Sequence, residues 1–223
     1  MTKLKTPKHV DKLIKAKNEN QQIFIDNIDT HAVNFGVGPA GTGKTYLAVY
    51  CALKAIQKHE AKKLVFVRPA VEAGEKLGFL PGSIEEKVSP YLRPLYDAME
   101  DLLGMEIAHK WIESGIVEIA PLAFMRGRTL NDSYIILDEA QNTTIEQMKM
   151  FITRLGYGSK MVITGDVTQI DLDRRVTSGL VHALFILNNI PSVSILHFYT
   201  ADIVRNPLIT AILNAYEGVT HEL

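Results

Sequence analysis

Gly38-Pro39-Ala40-Gly41-Thr42-Gly43-Lys44-Thr45 decides how the chain reads. Its spacing, G-x-x-x-x-G-K-[ST], is that of a phosphate-binding loop. The glycines let the backbone turn tightly and bring successive N–H groups against a polyphosphate. Lys44 offers a mobile positive charge for the β- and γ-phosphates, and Thr45 offers a hydroxyl ligand for Mg²⁺. The whole run from Gly38 to Tyr46 is the expected nucleotide contact. A chance match in a glycine loop is the bland alternative, and the flanks argue against it. Ala32 to Val37 reads as a strand running into the loop. Tyr46 to Lys58 reads as a helix leaving it, with Leu47, Val49, Tyr50, Leu53 and Ile56 as its apolar set. A helix N-terminus adds its dipole and its open N–H groups to an anion site, so strand, loop and helix form one device.

Outward from the loop, apolar runs alternate with helical periodicity. Lys63 to Val67 is a second strand, continuously apolar at its centre and stopped at Pro69; such strands belong to parallel sheets covered on both faces. Residues 70–83 lack clear periodicity, and loops of that length in compact domains tend to be functional. A helical region follows from Ile84 to about Leu103, expected to be interrupted near Pro90 and Pro94, with Ile107 to Glu113 continuing beyond Gly104. Val117 to Ala120, Tyr134 to Leu137, Lys160 to Thr164 and Val193 to Phe198 read as further strands. Helices are expected at Thr144 to Leu155, capped by Thr143 or Thr144, at Leu180 to Leu187, and at Asp202 to Tyr216. The lead-in of residues 1–18 is expected to be frayed, and Asn20-Gln21-Gln22 reads, from residue type alone, as solvated helix surface. Strands alternating with helices predict one domain over residues 1–223, a three-layer doubly wound parallel α/β sheet.

Composition is that of a globular protein able to bury a core unaided: 223 residues, 47% hydrophobic and 22% charged. The net charge of −1, from 24 basic and 25 acidic residues, excludes a global field that would draw nucleic acid or membrane, so any nucleic-acid site must be local. Cys51 is the sole cysteine, which rules out an internal disulfide, and its place in the helix after the loop predicts a small core residue. The Lys-rich N-terminus has no apolar signal segment, and no run is long enough to span a bilayer; the expectation is a cytoplasmic protein without a membrane partner.

Two acidic blocks supply chemistry. Asp138-Glu139 follows an apolar strand, where a sheet delivers ligands at its carboxyl edge. Asp138 is the expected Mg²⁺ ligand beside Thr45, and Glu139 the base that orients and deprotonates water. That second carboxylate favours hydrolysis over mere binding. Gly165-Asp166-Val167-Thr168-Gln169 ends the next strand on the same edge, where Gln169 is placed to contact the γ-phosphate or the attacking water. Arg174 and Arg175 follow, and phosphoryl transfer calls for cationic charge. The bland readings are an exposed acidic pair and a polar turn.

The phosphate loop, Leu77-Gly78-Phe79-Leu80-Pro81-Gly82, Met125-Arg126-Gly127-Arg128-Thr129, Leu137-Asp138-Glu139-Ala140-Gln141-Asn142 and Gly165-Asp166-Val167-Thr168-Gln169 together resemble the PhoH family of ATPases over about Asn20 to Tyr216. The resemblance implies a P-loop core similar to the first RecA-like domain of superfamily 1 helicases, with ATP and Mg²⁺ as cofactors. It implies that Gln21 recognises adenine, against the solvated reading above, and that Gln141 couples nucleotide state to neighbouring motifs. Arg174 matches a family arginine, flanked here by Asp173 and Arg175 where proline and glycine are common; which arginine faces phosphate stays open. No stretch resembles the nuclease domain fused to some relatives, so no nuclease activity is expected. Helicase-like proteins hold single strands beyond the second strand, where Arg68-Pro69 stand, and Phe79, Tyr91, Arg93, Phe124, Arg126 and Arg128 offer stacking and charge for RNA or single-stranded DNA; packing and solvated loops explain the same residues equally well.

The leading expectation is an ATP hydrolase, with a nucleotide-dependent scaffold and a small-molecule kinase as alternatives. The resemblance further suggests a homo-oligomer, most simply a hexameric ring. A single core leaves its ATP site open on one side, and a neighbouring copy in a head-to-tail contact supplies closure and a cation. Arg205 is the first candidate to act in trans, Arg174 within its own subunit.

Overall fold

The computed structural model describes residues 15–69, 84–204, 208 and 212, with the side chains of 84–92 outside the description. Six strands, β1 (Val33–Val37), β2 (Lys63–Arg68), β3 (Val117–Pro121), β4 (Ser133–Leu137), β5 (Lys160–Gly165) and β6 (Val193–His197), form one sheet in the order β3-β2-β4-β5-β1-β6, with every pairing parallel. Helices α1 (Glu19–Thr30), α2 (Lys44–Gln57), α3 (Ile84–Leu103), α4 (Met105–Glu113), α5 (Ile145–Ile152) and α6 (Gly179–Leu187) cover it.

Strand alternation divides the core in two. Leu64, Phe66, Tyr134, Ile136 and Val162 join one apolar cluster with α1 to α4, while Val65, Val67, Ile135, Leu137, Met161 and Ile163 join the other with α5 and α6. Residues that alternate along a strand project to opposite faces, which is why these strands are apolar throughout rather than every second residue. The expected three-layer doubly wound α/β sheet is present. Cys51 lies buried in the first cluster, and burial pushes its thiol up to about 12. On that face Phe24 lies so close over Gly36 that a Cβ there would meet the ring at 2.5 Å. The same ring meets Phe198 edge-on with centroids 5.4 Å apart, so α1 is wedged between β1 and the end of β6.

Several helices differ from expectation. α2 begins at Lys44 rather than Tyr46, after Gly43 in the left-handed region at φ 87°, which puts the motif lysine and threonine in its first turn. α3 runs unbroken through Pro90 and Pro94. Each internal proline costs about 3 kcal/mol. Leu95, Met99, Leu102 and Leu103, all buried on the later turns, offset this at roughly 1.5–3 kcal/mol apiece. Gly104, at φ 79°, separates α3 from α4. Where a helix is expected from Asp202, a 3-10 turn covers Thr200–Asp202 and Ile203 and Val204 follow it without helix; Leu208 and Ile212 are helical and exposed, and the other residues from 205 onward lie outside the described residues. α5 is shorter than expected and starts with a reciprocal capping box between Thr144 and Gln147, which settles the cap on Thr144.

The order β4-β5-β1 at the sheet's centre positions the site. Val37 is level with Gly165, and Leu137 is level with Ile163, so three neighbouring strands deliver their next residues side by side at one edge. No described helix is long and apolar enough to cross a membrane.

Candidate nucleotide-binding and hydrolysis site

The loop after β1 is gripped from both sides. Gly38 donates its N–H to the Gly165 carbonyl, and a Cβ at Gly38 would lie 2.3 Å from the Phe198 carbonyl oxygen, so that position, at φ 147°, admits glycine alone. Val204 donates to the Gly41 carbonyl, and the Thr42 hydroxyl to Pro39. The Lys44 ammonium is folded into the loop, donating to the Gly38 carbonyl at 2.6 Å, the Pro39 carbonyl at 2.7 Å and the Thr42 hydroxyl at 3.2 Å. Compact and with three donors, it holds the curve of the backbone as well as its own charge.

Beyond the loop lies a cavity of about 470 Å³ whose wall includes Ala40, Gly41, Gly43, Lys44, Thr45, Tyr46, Arg68, Asp138, Glu139, Asp166 and Gln169. The Thr45 hydroxyl donates to Asp138 Oδ1 at 2.7 Å, and Thr164, from β5, donates to the same oxygen at 2.7 Å. This pair of hard oxygen donors suits Mg²⁺, which takes one or two protein ligands and completes its shell with phosphates and water. Among the described residues no group of three or more His, Cys, Asp or Glu gathers to form an all-protein cage.

Glu139 has left-handed backbone, φ 54° and ψ 38°, unusual for a residue with a Cβ. Its carboxylate is held from two sides: Arg68 Nη2 donates to Oε1 at 2.8 Å, and Gln141 Nε2 donates to Oε2 at 2.6 Å. Gln141 is buried and continues the chain of contacts, its Oε1 accepting from the Asp166 N–H at 3.0 Å and its carbonyl from the Ser178 hydroxyl. Burial pushes the Asp166 carboxyl up, but hydrogen bonds from Thr168 and Gln169 and the charge of Lys44 outweigh it and hold the group below its ordinary range. Gln169 stands on the cavity wall with its amide nitrogen donating to Asp166 Oδ2 at 2.7 Å.

Gln21 is 5% exposed, so the solvated-surface reading fails there. Its Nε2 donates to the Thr42 carbonyl and its Oε1 accepts from the Lys17 N–H, which makes it a brace of the phosphate loop. It borders a second cavity of about 400 Å³ with Lys15, Lys17, Tyr46, Asp101 and Val204, on the other side of Gly41 and Gly43. Tyr46 faces both cavities; burial, then the hydrogen bond it donates to Asp101, raises its hydroxyl to about 12.

Among the described residues, the other expected ones are absent from the lining of these cavities. Arg174 is exposed on the turn after Asp173 and is absent from the described lining, and Arg175 pairs with Asp173. Arg205, Phe79 and the 77–82 motif lie outside the described residues, as does the side chain of Tyr91. Arg93 pairs with Asp97 one helical turn on. Phe124 and Arg126 are exposed on the 3-10 turn after β3, at the carboxyl edge of the sheet.

Arg128 is instead engaged in a fork with both oxygens of Glu118, which Lys63 also meets. The Arg128 hydrogen bonds, opposed by burial and helped by Lys63, hold the Glu118 carboxyl at about 2. A carboxyl with a lowered folded-state value stabilises the fold above its unfolded value and loses that contribution as pH falls through the folded one. Arg128→Ala is therefore expected to lower stability by about 1 kcal/mol at pH 7, after discount for partial exposure. The gap from wild type should close as pH drops from about 4.5 toward about 2. Urea unfolding at pH 7 and pH 3.5 reads this; a gap independent of pH would refute the assignment.

A sequence model described as "PhoH-like protein" matches residues 13–217. The chain belongs to the PhoH-like protein family. Among curated members of the family, the PhoH-like protein of Bacillus subtilis (strain 168) is 56% identical over 206 residues, covering 92% of this chain and 65% of its own. That of Mycobacterium tuberculosis (strain H37Rv) is 55% identical over 205 residues, covering 92% and 58%. Protein PhoH of Escherichia coli K12 is 43% identical over 205 residues, covering 91% and 58%. This PhoH-like chain thus spans between 58% and 65% of the length of these relatives. Among solved structures, the Pyrococcus furiosus Hef helicase domain superposes with a TM-score of 0.49 at 13% identity, over 82% of this chain and 38% of that one. The Pif1 helicase of Candida albicans superposes at 0.44 with 14% identity, over 83% and 40%.

Proposed function

We propose that this PhoH-like chain binds ATP with Mg²⁺ and hydrolyses it. The observation that carries the reading is the meeting of Thr45 with Asp138 at 2.7 Å on the wall of one cavity, with Lys44 on one side and Glu139 on the other. Thr45 and Asp138 would hold the metal ion, which supplies charge to the phosphates when bound. Lys44 and the N–H groups of the first turn of α2 bind the phosphate oxygens. Glu139, fixed by two donors and with lone pairs still open, orients water and takes its proton. Gln169 stands where it reaches the γ-phosphate or that water. The adenine base enters the second cavity, beside Gln21.

Single-stranded RNA or DNA is the partner class this reading favours. Phe124 and Arg126 offer an exposed ring and a cation together at the same edge of the sheet. The working form is a homo-oligomeric ring in which a neighbour closes the open side of the cavity, with Arg205 acting in trans.

Phosphate release measured with ATP and with GTP, with and without single-stranded RNA, tests the reading. Mg²⁺-dependent release that favours ATP is expected. Gln21→Ala should weaken both nucleotides several-fold through loss of the brace on Thr42, and should narrow the preference for ATP. Equal use of ATP and GTP by wild type would remove Gln21 as base reader; no release under any condition would leave a nucleotide-dependent scaffold.

A further inference from the structure

We propose that Arg68 is a positioning residue for the hydrolytic base, acting through the Glu139 carboxylate; the inference rests on the hydrolytic reading above. β2 and β4 are hydrogen-bonded neighbours with Val67 level with Leu137, and the Asp138 N–H donates to the Val67 carbonyl. The residue after Val67 is thereby set beside the acidic pair that follows Leu137. Arg68 has a side chain 17% exposed, and it uses its fork on both acids: Nη2 lies 2.8 Å from Glu139 Oε1, and Nε lies 3.8 Å from Asp138 Oδ2.

Glu139 needs such a hold. Its backbone sits in a region that side chains rarely adopt, so neighbours must over-determine its place. Gln141 fixes one carboxylate oxygen from the Glu139 strand's own continuation, and Arg68 fixes the other from the adjacent strand. Together the two donors set the position of the carboxylate and the plane it presents to the cavity, while each oxygen keeps a lone pair for water. Stability is a poor account of the pair. The Glu139 side chain is 39% exposed, and an ion pair with so wet a partner contributes little. Holding a base within a fraction of an ångström is where such a contact counts.

The test is a mutant cycle in ATP turnover with nucleotide binding measured alongside. Arg68→Ala should lower kcat on the order of 10²-fold, while affinity for a fluorescent ATP analogue and the Tm stay near wild type. Arg68→Lys, which keeps the charge but lacks the fork, should recover part of the rate. In a Glu139→Gln background, Arg68→Ala should add no further loss, because the residue it positions is already gone. Additive losses, an unchanged kcat, or a kcat that falls only in step with nucleotide affinity would each overturn the proposal. Wild-type protein that binds nucleotide without releasing phosphate would overturn the hydrolytic reading and this inference with it, whereas active wild type with additive losses overturns the inference alone.

Discussion

Glu139→Gln is expected to bind Mg-ATP as wild type does and to turn it over on the order of 10²–10⁴-fold more slowly, the range for loss of a general base. The substitution is nearly isosteric. A glutamine oxygen turned toward Arg68 still accepts its hydrogen bond, so the 2.8 Å contact has a replacement. The amide nitrogen then faces Gln141 Nε2, where two donors meet and the 2.6 Å bond is lost unless one amide turns over. Gln141 cannot turn without dropping the Asp166 N–H that its Oε1 accepts. The variant therefore loses the proton acceptor and strains one link of the network, while Lys44, Thr45 and Asp138, the residues assigned to phosphate and metal, keep all their partners. Single-turnover phosphate release, with nucleotide affinity measured in parallel, reads the outcome. Normal turnover would remove Glu139 as base, and a matching fall in affinity would make it a binding residue instead.

How much of this was legible before the fold was known depended on distance along the chain. The phosphate loop is contiguous and states its own geometry, as does the apolar strand ending in Asp138-Glu139. The strand order is another matter. That β4 lies between β2 and β5 decides which side chains meet, and no local pattern encodes it. Arg68 therefore read as a loop-edge cation open to nucleic acid, while in the fold it grips Glu139, 71 residues away. Arg128, read the same way, is spent on Glu118 of the edge strand β3. Gln21 shows the limit of residue type. Glutamine in the first turn of a helix is ordinarily solvated, and only the arrival of Thr42 above it makes it a buried brace. Prolines misled in the opposite sense: Pro90 and Pro94 argue locally for a break, and the buried stripe of α3 overrides them.

Lys44→Ala should abolish measurable turnover, a loss on the order of 10³-fold or more, and weaken nucleotide binding as well. Two effects combine. The cation assigned to the β- and γ-phosphates disappears, and so do the three hydrogen bonds by which the ammonium holds Gly38, Pro39 and Thr42 in a curve. Arginine is no substitute, because a planar fork cannot converge on three acceptors at 2.6–3.2 Å as a compact ammonium does. The variant also tests assembly. Arg205→Ala, if Arg205 works across a subunit contact, is inactive for a different reason: its own phosphate loop is intact and its neighbour's site lacks a cation. Mixing the two inactive proteins then restores part of the activity, because some contacts bring an intact Arg205 from one subunit to an intact Lys44 of another. Recovery on mixing, with light scattering that reports an oligomer at the assay concentration, is the expected result. Two inactive proteins that stay inactive when mixed, although each forms the oligomer, would confine Arg205 to its own subunit, and full wild-type activity in a monomer would end the proposal of a shared site.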